Sequence, residues 1–286
     1  MLKESLMPEL PEVATVVRDL NKSGLIGSTI TKTQVYWPRT IECPSAKVFC
    51  KQVQGLHVTS VHRRAKYIVM TLSNEYSLIT HLRMTGRFYF KDAAEKRQKH
   101  EHVIFTLKNG QSLRFYDTRK FGRLSFVEDA QTKLGRLGPE PLTKDFALTQ
   151  FKKSLLTKSR QIKPLLLDQT FVAGIGNIYA DEALWLAKIH PASKSDALTP
   201  INIKNLHSSI IEVLKKGIRN CGTSLGKSST NYYSASGKQG SNQEDLNVFR
   251  RTGLPCLRCK QIIQRMLVAQ RSSHICPKCQ KHPTSP

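Results

Sequence analysis

HVTSVHRRAKYIVMTLSNEYSLITHLRMTGRFYFKDAAEKRQKHEHVIFTLKNGQSLRFYDTRKFGRLSFVED, residues 57–129, is the stretch that decides the fold. It contains seven short segments rich in β-branched and aromatic residues: HVTSV, KYIVMTL, YSLITHL, RFYF, HVIFTL, QSLRFYD and RLSFVED. Such residues suit a pleated, half-buried surface, and polar turns separate the segments. Asn109-Gly110 lies between the fifth and sixth and signals a hairpin turn, because glycine takes positive φ without a Cβ clash. Residues 28–130 as a whole read as strands, and an antiparallel β-sandwich or barrel is expected. Upstream, Val13, Val16, Val17 and Leu20 recur at i, i+3, i+4 and i+7 and predict a helix with one apolar face.

The character changes after GPEPL at 138–142. FALTQFKKSLLT (146–157) has helical spacing at Ala147, Leu148, Phe151 and Leu155. Tyr179, Ala183, Leu186 and Ala187 form a second apolar stripe. Thr199-Pro200 reads as a cap followed by proline in the first helical turn, and Ile203, Leu206, Ile210 and Leu214 carry that helix on. Residues 222–245 are polar and rich in Ser, Gly, Asn and Gln, as a flexible loop is. The expected class is α+β with four parts: a β-sandwich at 7–138, a helical part at 139–221, the loop at 222–245 and a finger at 246–280.

Lys and Arg number 45 against 21 acids, giving a net charge of +24. A field of that sign draws phosphate backbones or anionic lipid. No apolar run approaches the ~20 residues of a spanning helix, and MLKESLMPEL lacks the apolar core of a signal peptide. The expectation is therefore a cytoplasmic nucleic-acid-binding protein. Cys256 and Cys259 form one CxxC and Cys276 and Cys279 another. In a reducing compartment, four thiolates so spaced predict one structural zinc ion in a closed tetrahedral site, with two disulfides as the alternative. Cys43, Cys50 and Cys221 lack such partners and read as ordinary thiols. Between the pairs, KQIIQRMLVAQRSSHI can fold as a hairpin that presents Arg265 and Arg271.

MPELPEV (7–13), HRRAKYIVM (62–70), HLRMTGRF (81–88), KHEHV (99–103), YDTRKFGR (116–123) and IKPLLLDQTFVAGIGNIYADEALW (162–185) occur in this order ahead of the finger. In that set the chain resembles the bacterial formamidopyrimidine-DNA glycosylases nearly end to end. The resemblance implies a bifunctional glycosylase and abasic-site lyase acting on 8-oxoguanine and formamidopyrimidines in double-stranded DNA. It implies Pro8 as nucleophile, Glu9 as general acid–base, Lys66 as proton donor in β-elimination and Arg271 as the finger arginine of δ-elimination. Glu12, one helical turn beyond Glu9, organises that site. An N-terminal proline suits the first role, because a secondary amine near the ~7.7–8.0 of an α-amino group is partly neutral at pH 7, unlike a lysine near ~10.4.

By the same resemblance, Met84, Arg119 and Phe121 fill the gap left by the extruded nucleotide. His100, Arg119, Lys158, Lys163 and Asn177 contact phosphates. AGIGNIYADEALW is a helix–two-turn–helix, and 222–245 caps the lesion. Monomer is the default expectation, with a bacterial nucleoid as the place of work. Six residues, MLKESL, precede the family-like start. A proline inside a chain carries a tertiary amide, so the acting form is expected to begin at Pro8. Ala14, where relatives often have an acid, and Cys221-Gly222, where many have two glycines, depart from the pattern. Two alternatives stay open: an enzyme for oxidised pyrimidines resembling endonuclease VIII, and a non-catalytic binder of damaged DNA if Pro8 is blocked.

Overall fold

The computed structural model describes residues 7–225 and 232–281. The leading MLKESL and residues 226–231 of the polar loop lie outside the described residues. The chain forms two compact units: residues up to Arg136 together with Asn220–Ser241, and Leu137–Arg219 together with the chain from Asn242.

The first unit contains α1 (Leu10–Lys22), β1 (Ile30–Val35), β2 (Ile41–Cys43), α2 (Ala46–Val53), β3 (Val58–Arg64), β4 (Tyr67–Leu72), β5 (Ser77–His81), β6 (Arg87–Asp92), β7 (Glu101–Leu107), β8 (Gln111–Tyr116), β9 (Arg123–Val127) and α3 (Gln131–Leu134). One sheet has the order β1-β7-β8-β6 and the other β2-β9-β5-β4-β3. All pairings are antiparallel except that of β2 with β9, which is parallel. The sandwich expected from the strand pattern is present, with this one short parallel edge added. Its core is a single apolar cluster including Met70, Leu78, Leu124 and Phe126 from one sheet and Phe88, Phe105, Leu113 and Phe115 from the other. The α1 helix lays Val13, Val16 and Leu20 into that cluster, and Asn21 Nδ2 donates to Val61 O at 2.9 Å, pinning the helix to β3.

Helix α2 corrects the expectation that residues 28–130 are all strand. Ser45 Oγ accepts the Val48 N–H and starts the helix, while Phe49 and Val53, four apart, bury one face. Phe49 meets Phe105 and Phe126 edge-on, at ring separations of 6.1 and 6.2 Å, and so touches a strand of each sheet.

The second unit contains α4 (Leu148–Leu156), α5 (Ile162–Leu167), α6 (Asn177–Leu186), α7 (Pro200–Arg219) and the hairpin β10 (Gln264–Val268) with β11 (Arg271–Ile275). Helix α7 starts at Pro200 as expected, with Thr199 Oγ1 accepting the Asn202 N–H. Helix α6 is buried on nearly every side from Ile178 to Trp185, including two acids. Buried carboxylates need full sets of partners, and these have them. Glu182 accepts the backbone N–H groups of Asn247, Val248 and Phe249 at 2.8–2.9 Å, and burial pushes its pKa up. Asp181 accepts Lys163 Nζ at 2.6 Å and the His274 N–H at 2.9 Å. The two acids thereby fix the segment before the finger and strand β11 to the helical part. Gln169 shapes the loop between α5 and α6: its amide donates to Leu167 O and Ile175 O, and its Oε1 accepts the Gly174 N–H.

Candidate active and DNA-contact sites

Pro8 and Glu9 stand at the mouth of α1, both buried, with Glu9 in the cap position. The Glu9 N–H donates to Glu12 Oε2 at 2.9 Å. Glu12 Oε1 accepts the Thr223 N–H at 2.7 Å, and Tyr232 donates its hydroxyl to Glu12 O at 3.1 Å. Gly222 lies so close that a Cβ there would stand 2.9 Å from Glu12 Cγ, and its φ is +84°. The described ends of the polar segment are thus fastened to Glu12, Thr223 to its carboxylate and Tyr232 to its backbone carbonyl, and the same carboxylate holds the Glu9 backbone.

Lys66 sits in the tight turn between β3 and β4, after Ala65 at φ +51°, and only 8 % of it is exposed. His81 on neighbouring β5 is equally buried. Burial, then the positive charges of Arg83 and Lys66, push its imidazole down to about 3. Its Nδ1 accepts the Arg83 N–H at 3.0 Å, which leaves the ring proton on Nε2. Sequence reasoning passed over His81. The available signal was a histidine closing the β-branched run SLITH, two residues before an arginine.

Phe121 is 45 % exposed, the only exposed phenylalanine among the described residues. The Arg119 guanidinium lies 4.9 Å from its ring centroid. Lys120, between them at φ +60°, places Nζ 4.0 Å from the Trp37 ring. Met84 is half-buried in the turn between β5 and β6. His100, at φ +72°, rests its ring edge-on to Tyr116 at 5.8 Å. All of these residues belong to the first unit.

In the second unit Lys158 is exposed just beyond α4. Asn177 opens α6 and donates Nδ2 to Ser272 O at 3.1 Å, while its buried Oδ1 has no hydrogen-bond partner among the described residues. Arg271 is exposed at the first position of β11. The two-residue turn before it, Ala269-Gln270, has both residues at positive φ, the geometry that two-residue hairpins favour. Lys163, expected as a phosphate contact, turns its side chain inward in this structure. Its side chain is fully buried, and Nζ donates to Asp181, to Ser272 O and to Ser273 Oγ at 2.6–2.8 Å. An ammonium has three protons, so these bonds use them all, and Lys163 braces β11 within its own unit.

Cys256, Cys259, Cys276 and Cys279 bring their sulfurs within 4.8 Å of one another, with Cys256 and Cys276 buried. None is in a disulfide. Burial pushes the Cys256 thiol up, but the N–H groups of Cys259 and Arg258 and the Trp185 indole outweigh it and bring the thiol down to about 6. Four converging thiols with N–H groups aimed at a sulfur fit one structural zinc ion, bound at about 2.3 Å per thiolate. That ion would supply folding energy to a segment whose own apolar cluster is small.

A basic chain that joins a β-sandwich unit to a helical unit bearing a four-thiolate finger, and that exposes a cation-capped phenylalanine, is a zinc-finger DNA-binding protein. Family models narrow this class. Residues 7–124 match the formamidopyrimidine-DNA glycosylase N-terminal domain, 137–229 the helix–two-turn–helix domain of the same enzymes, and 253–281 the zinc finger they share with isoleucyl-tRNA synthetase. The chain is 49 % identical over 275 residues to the formamidopyrimidine-DNA glycosylase of Protochlamydia amoebophila, covering 96 % of this chain and all of that one. It is 46 % identical to that of Herpetosiphon aurantiacus, with the same coverage. Among solved structures, the Lactococcus lactis enzyme in complex with abasic-site DNA is similar at a TM-score of 0.89 and 38 % identity, over 96 % of this chain and all of that one. Its complex with DNA containing Fapy-dG gives 0.88 and 37 % over the same shares. The chain belongs to the formamidopyrimidine-DNA glycosylase family.

Proposed function

We propose that the protein excises oxidised purines, 8-oxoguanine and formamidopyrimidines, from double-stranded DNA and then cuts the strand at the abasic site. The observation that carries this reading is the pairing of Pro8 and Glu9 at the start of α1, braced by Glu12, in a chain that matches the family over nearly its whole length. The neutral amine of Pro8 attacks C1′ of the damaged nucleotide. The N–C1′ bond forms and the glycosidic bond breaks, the base leaving with the proton that the amine gives up. Glu9 protonates the sugar ring oxygen, the ring opens, and an iminium forms on the Pro8 nitrogen. That cation draws electrons from the sugar. Loss of the C2′ proton expels the 3′ phosphate, and a second elimination expels the 5′ phosphate. Lys66 and Arg271 supply the proton transfers of these two steps. The partner base is faced by Arg119, the wedge is Phe121 with Met84, and the phosphate contacts are His100, Arg119, Lys158 and Asn177.

The chemistry requires a secondary amine, so the acting form begins at Pro8, and intact-mass analysis of the native protein checks this. Incubation with duplex DNA carrying 8-oxoguanine opposite cytosine, followed by borohydride, should give a covalent adduct whose mass places it on Pro8. Pro8→Gly should lose most of it. Binding without adduct or cleavage overturns the reading, and a faster reaction on an oxidised pyrimidine overturns the purine assignment.

A further inference from the structure

We propose that Asp117 and Thr85 form a latch that mounts Met84, Arg119 and Phe121 as one rigid piece for nucleotide extrusion. The proposal rests on the reading of those three residues as the extrusion wedge. They come from two turns far apart in sequence, Met84 from the turn between β5 and β6, Arg119 and Phe121 from the segment between β8 and β9. Asp117 is fully buried and Thr85 nearly so. The Thr85 hydroxyl donates to Asp117 Oδ1. The Arg119 N–H is shared between Asp117 Oδ1 at 3.0 Å and Thr85 Oγ1 at 3.2 Å. The Gly122 N–H donates to Asp117 Oδ2 at 2.7 Å. One carboxylate therefore brackets Arg119, Lys120 and Phe121 from both ends and ties them to the neighbour of Met84.

Two further observations stiffen the mount. A Cβ on Gly86 would stand 2.9 Å from Phe115 Cζ, and one on Gly122 would run into the same atom, so both turns close on a single ring. The backbone of Asp117 is held as well. Its N–H donates to His100 O at 3.0 Å, and its carbonyl accepts His102 Nε2 at 2.7 Å. The latch thus reaches the backbone of a proposed phosphate contact. All of these groups lie in the first unit. Extrusion costs unstacking energy, which an exposed ring can offset only if it does not lose its own order on insertion. A buried, fully paired carboxylate gives that rigidity while leaving Phe121 exposed.

Thr85→Val keeps the shape and removes the hydroxyl, and Thr85→Ser restores it. Asp117→Asn sets an amide donor against one of the N–H donors. Stopped-flow fluorescence of 2-aminopurine beside the lesion reports extrusion. Thr85→Val and Asp117→Asn should slow it about tenfold, the equivalent of one lost buried hydrogen bond, with Thr85→Ser near wild type. Borohydride trapping on a single-stranded abasic oligonucleotide, where nothing is extruded, should be unchanged, and a thermal melt checks folding. Wild-type extrusion in Thr85→Val and Asp117→Asn, with Phe121→Ala slow, overturns the latch alone. Equal losses on the duplex and single-stranded substrates also overturn it. Extrusion unchanged in Phe121→Ala overturns the wedge reading, and the latch with it.

Discussion

A buried base beside a buried cation constrains both, and His81 beside Lys66 is such a pair. The folded imidazole titrates near 3, against 6.5 when unburied. A depressed histidine pKa means that the unfolded chain binds the extra proton first. The contribution of His81 to stability is then complete above pH 6.5 and is lost as pH falls from about 6.5 toward 3, by at most about 1.4 kcal/mol per pH unit. Urea denaturation of wild type and His81→Gln across that window checks the sign. The wild-type advantage should shrink as pH falls, and parallel curves would mean that the folded imidazole is not held neutral. Glu12 makes a second prediction at this scale. Glu12→Gln must turn an amide donor toward either the Glu9 or the Thr223 N–H, both of which its carboxylate now satisfies. One lost bond of this kind corresponds to roughly tenfold, read as slower borohydride trapping on abasic DNA.

At the scale of elements, α6 shows what an apolar helix gains from a pair of acids. Lys163 and Asp181 form a buried ion pair, and His274 bonds the same carboxylate through its N–H and ring, so that α5, α6 and β11 are joined. Lys163→Met leaves Asp181 short of a charge partner and should cost about 3 kcal/mol, seen as a lower melting temperature and faster zinc release to a chelator. Lys163→Met with Asp181→Asn should be less destabilised than Lys163→Met alone, because no unpaired charge is left buried. Equal destabilisation would mean that Asp181, left without Lys163, is not an uncompensated buried charge. The helix itself was legible from its apolar stripe, as were the sandwich strands from their β-branched runs. Phe49 was not, because AKVFCKQV is short and its helical period rests on two residues, Phe49 and Val53. The inward turn of Lys163 was illegible for another reason: a cation in a basic chain reads as a phosphate ligand until its burial is known. Pro8 and Glu9 were singled out only by the resemblance of MPELPEV to the glycosylases, whereas the four cysteines could be named from residue type and spacing. Asp117 could not, since its partners, Thr85 and Gly122, become neighbours only once the strands have paired.

For the whole molecule, the excess of cations acts through how many of them can reach a phosphate. The chain enters the first unit twice, leaving it at Arg136, returning for Asn220–Ser241 and leaving again. Its cations are therefore mounted on two separately packed scaffolds, and some serve only to hold a scaffold together. Salt dependence separates the two kinds, because each neutralised phosphate contributes about 0.9 to the slope of log K against log salt. Lys158, exposed beyond α4, should flatten the slope by about one when changed to alanine, and His100 or Arg119 should do likewise while charged. Lys163 carries the same formal charge but spends it on Asp181, so Lys163→Met should weaken the fold and leave the slope as it was. Binding titrations on abasic duplex between about 50 and 200 mM salt, the range where the effect is large, measure both variants directly. A slope change in Lys163→Met equal to that in Lys158→Ala would mean that the buried ammonium leaves Asp181 to meet DNA, and that α6 must open for the complex to form.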